Sequence, residues 1–193
     1  MRGYVMNKKT KSIIASTLAF GTLLSASASV APVINHTAHA STTQQHQSAY
    51  YTYKGNAGYD AKFTLDKNFK NAIKAGNVTF NGIKIAPTQS TQTVIKSDQL
   101  FRQYDKKSKK ASLVDIPLKK QLKLTDLQKS YGKDLKKVDN GKNNTTGIYY
   151  YQPKKNGEAV WFDASKGKID RIVIGYEKTK VAIQKDKTMD KIK

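Results

Sequence analysis

Lysine carries most of the chemistry open to this chain. Lys129, Lys133 and Lys137 recur at spacings of four, with Lys136 beside the last of them. Lys119, Lys120 and Lys123 lie just upstream, and Lys154-Lys155 follow Pro153. An ammonium is a compact point charge without the planar fork of a guanidinium. Lysines arrayed along a surface therefore suit a phosphate backbone better than a base edge. Past residue 40 the arginines are Arg102 and Arg171, and Arg171 joins the candidate contacts. Tyr149-Tyr150-Tyr151 adds aromatic chemistry. In a strand, Tyr149 and Tyr151 share one face and Ile148 and Tyr150 the other. If the first pair is exposed, the rings can stack on bases, at about 1–3 kcal/mol per base. Each feature also has a plainer reading: a solvated lysine face, and an aromatic strand packed under a helix.

Catalysis finds little to work with. The chain has no cysteine, which removes thiol nucleophiles, disulfides and cysteine zinc sites. Past residue 40 its histidine is His46, in a Gln/Ser/Thr-rich stretch with almost nothing apolar to bury. That argues against Ser-His-Asp hydrolysis and histidine-based nuclease chemistry. The glutamates are Glu158 and Glu177, the aspartates are scattered singly, and neither a P-loop nor a strand-borne GxGxxG occurs. A non-enzymatic protein without cofactor or metal is expected.

The chain has 193 residues, with 35 Lys+Arg against 14 Asp+Glu, a net +21. A hydrophobic content of 38% and a mean hydropathy of −0.64 exclude a multi-span membrane protein. Asn7–Lys11 is a basic n-region, Ser12–Val30 is uncharged, and Ala38-His39-Ala40 is an A-x-A site. Residues 1–40 thus read as a signal peptide cut between Ala40 and Ser41. Removal takes away Arg2, Lys8, Lys9 and Lys11 and leaves 31 basic against 14 acidic residues, a net +17. Such a charge attracts polyanions over distance. No Leu-Pro-x-Thr-Gly sorting motif or hydrophobic tail appears, so the product is expected to be released, or held to the surface by charge alone, without membrane insertion.

Certain elements must position these groups. Residues 41–49 read as a disordered tail, 50–176 as one domain and 177–193 as a Lys-rich tail with frayed last residues. Tyr50–Leu65 reads as extended. Asp66 caps a short helix that carries Phe69 and Ile73 and stops at Gly76. Asn81-Gly82 joins a hairpin of Val78–Phe80 and Ile83–Ile85. Ala86–Gln92 is a polar loop, Val94–Tyr104 a strand, Lys106–Lys110 a turn, and Ala111–Leu118 an edge or bulged strand because of Pro117. Thr125–Gln128 reads as a capping box, which starts a second helix at Thr125. Leu124, Leu127, Tyr131 and Leu135 form its apolar stripe, opposite Lys129, Lys133 and Lys137, and Gly132 can end it early. Asp139–Gly147 is a loop. Ile148–Gln152, Glu158–Asp163 and Lys168–Tyr176 form a three-stranded meander, with Trp161 and Phe162 as core candidates on opposite faces. The predicted class is α+β: two short helices packed on an antiparallel sheet that ends in that meander. Lys166 and Lys168, in and after its second turn, would extend a continuous basic rim.

Tyr50–Gly55, Asp66–Lys74, Asn77–Lys84, Tyr131–Lys137, Gly147–Gln152 and the Trp161-Phe162 strand occur in an order and spacing that resembles the immunodominant staphylococcal antigen B family. The resemblance covers nearly all of Tyr50–Tyr176. It implies a small, basic, secreted or surface-associated protein linked to extracellular nucleic acid and virulence, with no enzyme activity. It transfers no contact residues, so the site expectation rests on charge geometry. Together these readings predict a secreted monomer that binds extracellular DNA or RNA with little sequence preference. The alternative is a surface antigen or adhesin that holds wall polymers such as teichoic acid, or a host protein.

Overall fold

The computed structural model describes residues 49–138 and 143–192. The signal segment, Ala40, Ser41 and His46 lie outside the described residues.

Helix α1 (Lys67–Ala75) forms as its caps dictate. The Asp66 carboxylate accepts from the Asn68 amide at 2.8 Å, and Gly76 closes the last turn in the left-handed region, at φ 68°. Phe69, Ala72 and Ile73 are its buried face. The hairpin β2 (Val78–Phe80) to β3 (Ile83–Ile85) turns on Asn81 and Gly82, both at positive φ, as a type I′ turn requires. Tyr50–Leu65 is less extended than expected. Only β1 (Tyr51–Tyr53) is strand, paired parallel to β2, and two 3₁₀ turns follow at Ala57–Tyr59 and Ala61–Leu65. These turns bring Phe63 in among Tyr51, Tyr53, Phe69 and Phe80, with ring centroids 5.2–6.2 Å apart, distances at which aromatic pairs attract.

The stretch read as one strand over Val94–Tyr104 is a hairpin, β4 (Thr93–Lys96) and β5 (Gln99–Asp105). Ser97, at φ 57°, makes the turn. β6 (Lys110–Lys123) is the spine of the sheet, not an edge. β5 lines one side; β3, parallel, and then β10 (Lys168–Gly175), antiparallel, share the other. Gly175 marks the handover, where a Cβ would stand 2.0 Å from the Ser112 carbonyl oxygen. The bulge expected at Pro117 is present. Ile169 pairs with Leu122 and Arg171 with Pro117, so Leu118–Gln121 bow out opposite the single residue Asp170.

The meander is as predicted: β8 (Gly147–Tyr151), β9 (Ala159–Ser165) and β10, with the short β7 (Lys136–Lys137) added on β8. The result is a curled mixed sheet, ordered β1-β2-β3-β6-β10-β9-β8-β7, with β5 and β4 on the other side of β6. The two parallel contacts, β1–β2 and β3–β6, correct the all-antiparallel expectation. β3 reaches β6 through a crossover long enough to hold the β4–β5 hairpin, which permits parallel pairing.

α2 (Leu124–Tyr131) also departs from the reading. The Thr125 capping box does not form: the N-cap is Lys123, with no side-chain cap, and Thr125 falls inside the first turn. The helix springs directly off β6, because the Leu124 amide donates to the Gly167 carbonyl at 3.0 Å. Gly132 ends it as expected, so Lys133 lies in a 3₁₀ turn and Lys137 in β7; the three lysines are not one helix face.

α1, α2 and the 3₁₀ turns cover one face of the sheet, over Phe80, Val114, Ile116, Phe162, Ile172 and Ile174. The other face carries Leu113, Ala159, Trp161 and Val173, and a third helix, α3 (Thr179–Ala182), closes it through buried Ala182. Residues 177–184 are docked on this face, and their anchor is ionic. Asp115 is fully buried between Arg171, which grips both carboxylate oxygens, and Arg102, 3.6 Å away. The terminal guanidinium nitrogens of Arg102 and Arg171 also donate to the carbonyls of Val181, Ala182, Ile183 and Gln184. Those carbonyls are unpaired at a helix end, where cations are favoured.

Candidate nucleic-acid interface

Three expected contact residues are withdrawn from solvent. Arg171 is 3% exposed and committed to Asp115. Tyr149 and Tyr151 are 5% and 7% exposed. Tyr151 meets the Tyr131 ring at 4.9 Å, and the Tyr149 hydroxyl donates to the Asn144 carbonyl at 2.6 Å. The alternation was right and the choice of face was wrong: the helices cover Tyr149 and Tyr151, while Tyr150 is half-buried on the tail side.

The lysines behave differently. Lys119, Lys120, Lys123, Lys129, Lys133, Lys136, Lys154 and Lys155 are all exposed. Ion pairs between described residues join arginine to Asp115, and these eight lysines take part in none. Lys137 is half-buried and donates to the Asn143 carbonyl at 2.8 Å, so it is already engaged. Lys70 is engaged too, donating to Ser130 and lying over the Tyr131 ring.

The elements gather the exposed lysines at two places joined by α2. At one end, the β6 bulge lifts Lys119 and Lys120 outward. Lys123 is set directly opposite Lys168 in the β6–β10 ladder, and Lys166 is in the adjoining turn. Like charges opposite one another across a ladder are destabilising. At the other end, Lys74 of α1, Lys136 of β7 and the Gln152-Pro153 start of the turn that holds Lys154-Lys155 border one groove of about 360 Å³. α2 spans about 12 Å between them and presents Lys129, with Lys133 just beyond it. Its inward side holds it there: Leu124 and Leu127 are buried, and the Tyr131 hydroxyl donates to the Thr64 carbonyl at 2.6 Å.

A cleft at the bulge end was not foreseen. It measures about 390 Å³ and is lined by Tyr59, Asp60, Lys62, Lys120, Lys123 and Asp126, among others. Tyr59 is 56% exposed. Asp98 places it: the buried carboxylate accepts from the Ala57 and Gly58 amides at 2.9 and 2.8 Å. The turn then lies so close to β6 that a Cβ on Gly58 would be 2.4 Å from the Pro117 carbonyl oxygen. The visible signal was a tyrosine between Gly58 and Asp60 with Lys62 close by, but its placement depends on a carboxylate some forty residues away.

Among the described residues no helix is long and apolar enough to cross a membrane. No solved structure matches the chain. Relatives from Staphylococcus aureus strains USA300 and NCTC 8325, both called immunodominant staphylococcal antigen B, are 43% identical over 176 residues, covering 89% of this chain and 96% of theirs. The model of the family described as immunodominant staphylococcal antigen B matches residues 50–174, the span that carries the sheet, α1, α2 and the exposed lysines. The chain belongs to the immunodominant staphylococcal antigen B family.

Proposed function

We propose that this protein is an exported, non-catalytic antigen that binds extracellular nucleic acid through the lysines running from the β6 bulge along α2 to β7. The observation that carries the reading is the cross-strand pair Lys123 and Lys168, exposed, opposed and without a carboxylate partner among the described residues. A bound phosphate would relieve the repulsion of two lysines set opposite one another in the ladder. The near-absence of exposed arginine makes the interaction one of backbone charge, largely independent of sequence. The relatives' name supports an antigen exposed outside the cell. Wall polymers such as teichoic acid remain the competing ligand class.

The test is a titration of the protein with duplex DNA across salt concentrations. Log K falls linearly with log salt, at about −0.9 per phosphate neutralised. Replacing Lys123, Lys129 and Lys168 with Gln flattens the slope by about two to three. An unchanged slope places the contacts elsewhere. Equal displacement of DNA by teichoic acid and heparin, at matched charge density, removes nucleic acid as a privileged ligand.

A further inference from the structure

The geometry points to the cleft beside the β6 bulge as a subsite for one unpaired nucleotide, its base stacked on Tyr59 and its flanking phosphates at Lys62, Lys120 and Lys123. This rests on the nucleic-acid reading and adds a preference that the lysines alone cannot supply. An ammonium rim meets any phosphate backbone, duplex or single-stranded. An aromatic face in a confined cleft reaches a base only where that base has left its partner.

Three observations converge. First, Tyr59 is a large ring left more than half exposed, and it lines the cleft wall. Second, its backbone is held before any ligand arrives. Asp98 ties down Ala57 and Gly58, and Gly58 lies against Pro117 with no room for a side chain, so little backbone entropy is lost when a base stacks. Third, Lys62, Lys120 and Lys123 line the same cleft, and none forms an ion pair with a described residue. The volume of about 390 Å³ lies within the range of small-ligand sites. The carboxylates Asp60 and Asp126 share the wall. They can accept from base amino groups, which gives a stacked base polar partners in the same cleft as the lysines. Tyr50 is more exposed still but lines no described cleft with lysines, so it lacks the second half of such a site.

The experiment compares a labelled single strand with the blunt duplex formed from it, by fluorescence anisotropy on wild type, Tyr59→Ala and Tyr59→Trp. Tyr59→Ala should weaken single-strand binding by about fivefold to about a hundredfold, leave duplex binding and the thermal midpoint unchanged, and be rescued by Tyr59→Trp. Equal loss on both ligands, or no loss on either, overturns the subsite. If wild type binds neither ligand, the parent reading fails with it. If wild type binds both and Tyr59→Ala is silent, only the subsite falls.

Discussion

Glu158 stands just before β9, buried, with both carboxyl oxygens unpartnered among the described residues. Burial pushes its carboxyl up to about 9, with Lys84 pulling the other way. The Tyr176 hydroxyl is pushed up to about 12, by burial first and by the Glu158 charge second. The neutral acid is thus the form this site holds. Its contribution to stability is complete below the unfolded value near 4.5 and is lost as pH rises towards 9. Glu158→Gln keeps the shape and removes the proton. At pH 8 the variant should be more stable than wild type by on the order of 5 kcal/mol, a gain that vanishes as pH falls to the unfolded value. Paired thermal melts across that range check it; a pH-independent difference contradicts it. Arg102 shows a related pressure: burial lowers its pKa, and Asp115 restrains the fall. The arginines hold the interior together and the lysines face solvent, a division that fits the fork geometry of one and the strong hydration of the other.

At the scale of elements, the docked tail is the clearest test of that division. Lysine at position 171 keeps a charge but cannot grip both oxygens of Asp115 and still cap α3. Arg171→Lys should therefore release the tail and speed tryptic cleavage at Lys178, Lys180 and Lys185, while the meander stays folded. Time-resolved proteolysis reads this, and wild-type cleavage rates would show that the anchor is not the Arg171 network. The tail also shows where sequence reading stops. α1, the Asn81-Gly82 hairpin and the meander were legible because their signals are local: an N-cap, a left-handed stop, period-two alternation. Docking of residues 177–184 depends on an Asp115–Arg171 pair 56 residues apart, written in no local pattern. The Thr125 capping box failed because strand pairing through Lys123 and Lys168 fixed the helix start first.

For the whole molecule, charge was legible and its placement was only half so. Lys119, Lys120 and Lys123 were found from their spacing, and the bulge that lifts two of them followed from Pro117. Tyr149 and Tyr151 were misplaced because alternation separates two faces without saying which one the helices cover. Lys168 entered only as part of a rim; its position opposite Lys123 needed the register. That pair also separates polyanion binding from mere solvation. Lys168→Glu turns a like-charge cross-strand pair into an opposite-charge one. A polyanion site at this pair requires a thermal stability gain of about 0.2–1 kcal/mol, together with weaker duplex binding and a salt slope flattened by about one to two. A variant that gains stability and binds DNA with unchanged affinity and slope would show that the Lys123–Lys168 pair is not a phosphate site.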